Sequence, residues 1–287
     1  RGSFETVSEH VVYSSQLYAD LRSRVIALES AMIDFSLAPS TDADERALMA
    51  ARLLRPFAID LPLLRIGGNG DGGYVMADSI TTGRAISIGV GPDVSWDADI
   101  AGRGISVAMF DPTVDGPPVH VPGGAFHRIG LGTEQQAAAT GLDLRPLEEL
   151  LRLGDAEYME SLLKIDIEGA EWEGLEQVRD FGRFPQIALE LHDLSTLGDE
   201  TAGDRILRVL RHLHTTHVPV HLHANNECPI SRFGRYWLPD VLEVTYVRRD
   251  IAGRFEPASR LDTEHDRPSN ERFLDIDLSG MLSAPPA

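Results

Sequence analysis

Seven apolar runs mark the middle of the chain: Ala85 to Gly89, Ser106 to Phe110, Phe126 to Gly130, Leu162 to Ile167, Gln186 to Leu191, Val218 to His223 and Val241 to Val247. Helical patterns lie between several of them, as at Leu144 to Leu153, Trp172 to Phe181 and Gly203 to His214. Strands that alternate with helices build βαβ units and a parallel sheet. The pattern predicts an α/β fold with a Rossmann-like, seven-stranded, mainly parallel sheet. Pro239-Asp240 precedes the last run and no convincing helix follows it. That strand is expected to run antiparallel at an edge and to close the sheet.

The flanks read differently. From Glu5 to Ala38, Val11, Leu17, Leu21, Val25, Leu28 and Met32 recur at helical spacing. A helical arm, able to pair two copies as a homodimer, is expected there, with a helix docked on the core as the alternative. Thr41 or Asp42 then caps a second helix, Ala43 to Arg55, which Pro56 follows. The tail after Arg248 is polar and contains proline, which suits a surface wrap. The expected organisation is a helical extension over 1–60, the sheet domain over 61–250 and a surface tail over 251–287.

Charge narrows the partners. The net charge is −19, whereas nucleic-acid backbones and anionic membranes call for basic patches. A neutral or cationic small molecule fits better. Cys228 is the only cysteine, so no internal disulfide is expected, and a cytoplasmic setting fits. No run approaches the length that spans a bilayer.

In open α/β sheets, ligands bind outside the carboxyl ends of the strands. Ser87-Ile88-Gly89-Val90-Gly91-Pro92 follows the first strong strand, and its alternate glycines let the backbone turn sharply beside a ligand. The second strand ends at Asp111, placed to accept both hydroxyls of a ribose. That pair serves NAD or S-adenosylmethionine. The turn lacks the regular pyrophosphate-cradling pattern, because Pro92, Asp93 and Val94 follow Gly91. This favours S-adenosylmethionine, which has no phosphate. Lys164-Ile165-Asp166-Ile167-Glu168-Gly169 then ends a strand in two carboxylates, and Lys164 is the only lysine in the chain. Glu190, His192 and Asp193 close the next strand, and His223, Asn225 and Asn226 a third.

Ser87–Pro92, Phe110-Asp111-Pro112, Ile129-Gly130-Leu131-Gly132 and Leu163-Lys164-Ile165-Asp166-Ile167-Glu168-Gly169-Ala170-Glu171 resemble, in order and spacing, the FkbM-type methyltransferases. Asp71-Gly72-Gly73-Tyr74 and His223-Ala224-Asn225-Asn226 resemble a branch of methyltransferase-like proteins. The likeness runs from about Arg65 to Arg249. It implies a seven-stranded methyltransferase sheet, S-adenosylmethionine as donor, and methylation of a hydroxyl on a sugar-containing or natural-product molecule. The glycine turn departs from the family's commoner Asp-x-Gly-Ala-Asn form, with Ser87 where the acidic residue stands. Asp93 or Asp71 is then expected to meet the methionine amino group.

The expected donor-binding residues are Asp71, Gly72, Tyr74, Gly89, Gly91, Asp93, Asp111 and Asp166, with Tyr74 on a glycine-hinged lid. An alcohol needs a base or a metal to lose its proton. His192 is the first choice for the base, His223 its rival, and Asp166 and Glu168 complete the candidate catalytic set. Capping of the following helix is the alternative role for Glu168. Asp166, Glu190, His192 and Asp193 are the candidate ligands for a divalent metal such as magnesium, with a metal-free polar shell slightly preferred. Two other classes stay open: a nicotinamide-dependent oxidoreductase, and a silent scaffold that keeps the fold and dimerises through its N-terminal helix.

Overall fold

The computed structural model describes residues 42–280 apart from position 235. The expected dimer-forming arm falls on 1–41, outside the described residues.

Seven strands form the main sheet: β1 (Arg84–Ile88), β2 (Ser106–Phe110), β3 (Gly124–His127), β4 (Leu162–Ile165), β5 (Gln186–Leu191), β6 (His217–Ala224) and β7 (Leu242–Arg248). They lie in the order β3-β2-β1-β4-β5-β7-β6. All are parallel except β7, which runs against both neighbours. The mixed α/β, mostly parallel sheet is compatible with a Rossmann-like fold. One expectation is corrected: the reversed strand is not an edge strand. Every residue of β7 except Arg248 is buried, and the strand is inserted between β5 and β6. The edge falls to β6, which carries Pro219 and a register shift between Pro219 and His221. Proline cannot donate to a ladder, so an edge is where a sheet tolerates it.

Strand alternation gives the sheet two unlike faces. Ile86, Ile88, Phe110, Leu163, Ile165 and Leu189 point into the larger core. That core is covered by α1 (Asp42–Leu54), α4 (Leu147–Leu153), α5 (Glu171–Glu176) and α6 (Glu200–Thr216), with α2 (Ser95–Gly102) and α3 (Glu134–Thr140) completing the main helices. The opposite face packs Ala85, Val107, Met109 and Leu162 under Trp96 and Ile100 of α2 and under Tyr74 and Met76. These last two belong to a two-stranded ribbon, Leu63–Ile66 with Tyr74–Ala77.

The described parts of the segments expected as extension and tail, 42–60 and 251–280, are joined to the core and to each other. Ala47, Ala50 and Leu54 of α1 are fully buried in the larger core, and Phe57–Ile59 pairs with Phe255–Pro257. Among the described residues no helix is long and apolar enough to cross a membrane.

The chain order reverses at β1: β2 lies on one side of it and β4 on the other. A crevice opens outside the carboxyl ends of strands at such a point.

Candidate active site

A cavity of about 490 Å³ occupies this crevice, within the range of roughly 300–1,000 Å³ typical of small-molecule sites. Its wall combines Gly89, Gly91 and Asp93 after β1, Asp111 and Thr113 after β2, Asp166 and Glu168 after β4, Glu190 and His192 at the end of β5, and Asn225 after β6. Asp71, Gly72, Lys164 and Cys228 line it as well. Five parallel strand ends thus supply one rim, and most of the residues expected from sequence meet there.

The glycine turn is shaped by contact. Gly89 has φ +86°, and a Cβ on it would lie 1.5 Å from the carbonyl oxygen of Asp166. The Gly89 amide donates to the Phe110 carbonyl (2.9 Å) and the Asp166 amide to the Ile88 carbonyl (2.9 Å). The turn is therefore pressed between β2 and the start of the Asp166 loop. Gly91, at φ +54°, has open space around it.

Asp111 fastens the same turn. Its Oδ2 accepts from the amides of Val90 (3.0 Å) and Gly91 (3.3 Å), and its Oδ1 from the amide (2.8 Å) and hydroxyl (2.6 Å) of Thr113. Burial opposes ionisation, but these hydrogen bonds outweigh it and hold the carboxyl below its usual range. Of the four donors only the Thr113 hydroxyl is a free rotor, so an incoming donor would reach Asp111 by turning it aside.

Lys164 stands on the second face of the sheet, 3% exposed. Its Nζ donates to the Gly89 carbonyl (3.0 Å) and lies 3.6 Å from Asp166 Oδ2, with the Tyr74 ring beneath it. Tyr74 donates its hydroxyl to Asp166 Oδ2 (3.1 Å). The expected lid role for Tyr74 is corrected: it is 2% exposed in the packed ribbon and backs the site. Asp71 and Gly72 alone carry that loop to the cavity wall.

Carboxylates crowd the next row. Glu190 sits directly opposite Glu243 in the register of β5 and β7, and Glu243 opposite His223 in that of β7 and β6. Burial first, then the charge of Asp166 and a hydrogen bond to it, raise the Glu190 carboxyl far above its usual range. Asp166 moves the other way: burial resists ionisation, but Lys164 leads the influences that keep it an anion. A protonated Glu190 that donates to an ionised Asp166 satisfies both, and Asn225 Nδ2 donates to Glu190 Oε1 (3.0 Å). Desolvation in the cavity wall, although Asp71 keeps an exposed edge, and the charges of Asp166 and Glu243 push its carboxyl up to about 6.

His192 is oriented by a residue that the sequence reading did not select. Glu171 is fully buried. Its Oε1 accepts from the His192 amide (2.5 Å) and lies 3.1 Å from His192 Nδ1, while its Oε2 accepts from the Gly169 amide (3.0 Å). Trp172 Nε1 donates to the His192 carbonyl (2.7 Å). An Nδ1–H directed at Glu171 leaves Nε2 free to accept a proton on the cavity side. There it faces Glu168 Oε2 at 3.5 Å and Glu190 Oε2 at 3.8 Å. Burial lowers the affinity of His192 for a proton, but Glu171, Asp166 and Glu168 more than offset this and raise its pKa. Two of the described non-glycine residues with left-handed backbone, Glu168 (φ 55°) and Asp193 (φ 56°), flank this group. Strain of that kind gathers at functional sites.

Three other expectations are corrected. His223 does not line the cavity: it is held between Asp275 (3.1 Å) and Glu243 (3.5 Å) under the C-terminal segment. Asp193 is also absent from the cavity wall and packs against Gly169. Among the described residues, the atoms close enough for one cation are instead those of Asp166, Glu168 and His192, with Asp71, Glu190 and Glu243 as a second group. Glu168 does not cap α5; Glu171 takes the free Gly169 amide. No protein-family model, curated protein or solved structure matches the chain.

Proposed function

We propose that the protein is an S-adenosylmethionine-dependent O-methyltransferase acting on a hydroxyl of a sugar-containing or natural-product small molecule. One observation carries this reading: a glycine turn, the Asp111 carboxylate that fastens it and an oriented histidine open onto the same cavity. The seven-stranded sheet with one reversed strand suits the family resemblance.

The residues fit the donor. Gly89 to Gly91 offer close backbone approach, and Asp111 can take a ribose hydroxyl in place of Thr113. Asp71 and Asp93 flank the turn as partners for an ammonium group. When bound, S-adenosylmethionine supplies an electrophilic methyl group on a sulfonium. His192 Nε2 takes the proton of the acceptor hydroxyl, and Glu171 holds Nδ1–H and stabilises the imidazolium. The nicotinamide reading has less support. Asp93 precedes α2 and accepts from the Ser95 amide (2.7 Å), so a carboxylate already stands where a pyrophosphate would meet the helix start.

Calorimetry with S-adenosylhomocysteine and with NAD tests the reading. Micromolar binding of the first and none of the second is expected; the reverse would overturn it. In an acceptor panel, His192→Ala should keep S-adenosylhomocysteine affinity and lose about 10²–10⁴ in turnover, the usual worth of a general base. Glu171→Gln should also slow turnover. The rate should rise with pH through a pKa above the ordinary histidine value, and that limb should move to lower pH in Glu171→Gln, because the raising carboxylate is gone.

The same geometry gives a second reading. A carboxylate on the far ring nitrogen is what a metal-ligating histidine usually has, so Asp166, Glu168 and His192 could hold magnesium. It would then acidify the hydroxyl as a Lewis acid. Turnover lost in EDTA and restored by magnesium would assign this role; turnover indifferent to EDTA would assign the base.

A further inference from the structure

We propose that the C-terminal segment from Leu261 to Leu278 is a latch that holds the Gly67–Gly73 loop against the cavity, and that its polar middle opens for ligand exchange while its ends stay anchored. The cavity and its loop are those of the proposed function; the regulation is new and rests on that reading only for the choice of ligand.

The segment has unlike ends and middle. Leu261 and Leu278 are buried in the larger core, and no residue between them is buried. Thr263 to Arg272 reads Thr-Glu-His-Asp-Arg-Pro-Ser-Asn-Glu-Arg, which has no large apolar side chain to bury. Apolar burial therefore fixes the two ends, while hydrogen bonds and ion pairs hold what lies between. Segments held in this way open locally at a fraction of the cost of unfolding.

Its contacts fall on elements of the site. The Ser269 carbonyl accepts from the Asp71 amide (3.3 Å), and the His265 carbonyl from Arg65 Nη1 (3.5 Å). The same Arg65 donates through Nε to Gly68 (2.5 Å) and through Nη2 to Gly70 (2.7 Å), so one side chain ties the loop to the latch. Asn225 and Asn226 divide the work at the end of β6. Asn225 holds Glu190 in the cavity wall. Asn226, fully buried, donates to the Asn270 (2.9 Å) and Phe273 (3.3 Å) carbonyls and accepts from the Asn270 amide (2.9 Å). Two buried histidines of β6 complete the seat: His221 meets Asp266 (2.7 Å) and His223 meets Asp275 (3.1 Å). His223 also faces Glu243, the cross-strand neighbour of Glu190. The latch thus reaches the cavity through the Asp71 loop and through the Glu190 row.

The test compares the full chain with Asp266→Asn/Asp275→Asn, which keeps shape and removes both carboxylates from the histidines. Amide hydrogen exchange of residues 67–73 should quicken by about tenfold or more, as expected for loss of hydrogen bonds to charged groups, while exchange in β1, β4 and β5 stays unchanged. S-adenosylhomocysteine should dissociate faster by a similar factor. A second variant, Arg65→Met, cuts the tie from the loop side and should show the same signature. Released exchange over 263–273 with unchanged protection of 67–73 would overturn the latch. If the unaltered chain binds no S-adenosylhomocysteine, the proposed function fails, and the exchange measurement still decides the latch.

Discussion

Gly89→Ala is expected to abolish the cavity's ligand binding and to destabilise the fold by about 3–5 kcal/mol, the exceptional end for a single substitution. Two costs combine. Alanine at φ +86° is held in the left-handed region, worth about 1–2 kcal/mol for an L-residue. Its Cβ would also sit 1.5 Å from the Asp166 carbonyl oxygen, a distance that no side-chain rotation relieves because the obstacle is backbone. Either the turn lifts off β4 or the Asp166 loop is displaced. Both separate the Gly89 side of the cavity from the Asp166 side. Gly91→Ala is the control: it shares the positive φ, at +54°, but meets nothing within 4 Å. It should cost only the backbone strain, about 1 kcal/mol. Urea unfolding midpoints at constant m-value measure both. Equal losses for the two variants would show that the contact with Asp166 is not what demands glycine.

The parts of the fold legible in the sequence are those that a single physical rule controls. Strands buried on both faces are near-continuous apolar runs, so Ser106–Phe110 and Gln186–Leu191 are legible to the residue even though the second carries Gln186 and Glu190. The place of β7 is not legible locally: a strand after Pro239-Asp240 with no helix behind it reads as reversed and at an edge, and only the first of these holds. Composition offers one cue, Pro219 in β6; burial does not separate the two strands, since His217–Ala224 and Leu242–Val247 are buried alike. The site was legible at strand ends, where Asp111, Asp166 and His192 fall by topology. It was illegible where a turn reverses the chain. Glu171 reaches His192 only because Glu168 and Gly169 adopt left-handed backbone, and no pattern in Glu168-Gly169-Ala170-Glu171 announces that reversal. Tyr74 was misplaced for a related reason. The glycines before it suggest mobility, yet its ring is fixed by the packing of Met76 and Trp96 around it.

The second large effect is expected at Lys164→Met. Methionine keeps most of the side-chain volume, so the packing change is small and the experiment isolates the charge. Lys164 is 3% exposed on the face shared by Ser87 and Tyr74. Its ammonium is the strongest influence that keeps the partly buried Asp166 ionised against desolvation. Removing one member of a buried pair leaves the other uncompensated, typically at about 3–5 kcal/mol. The Gly89 carbonyl loses its donor in the same step, so ligand affinity should fall with stability. Arginine should not rescue, because a planar guanidinium cannot occupy the space of a compact ammonium. The sign with pH follows from Asp166. Its folded-state pKa is depressed, so its contribution is full above the unfolded value of about 3.9 and fades as pH falls through the folded one. The gap between Lys164→Met and the unaltered chain should therefore be widest near neutrality and narrow below about pH 4. Lys164→Met/Asp166→Asn should recover part of the loss, since the stranded anion is gone, and the recovery measures the coupling. A double variant no more stable than Lys164→Met alone would place the cost in the Gly89 carbonyl, and would leave the lone lysine as the support of the turn, with no part in keeping Asp166 charged.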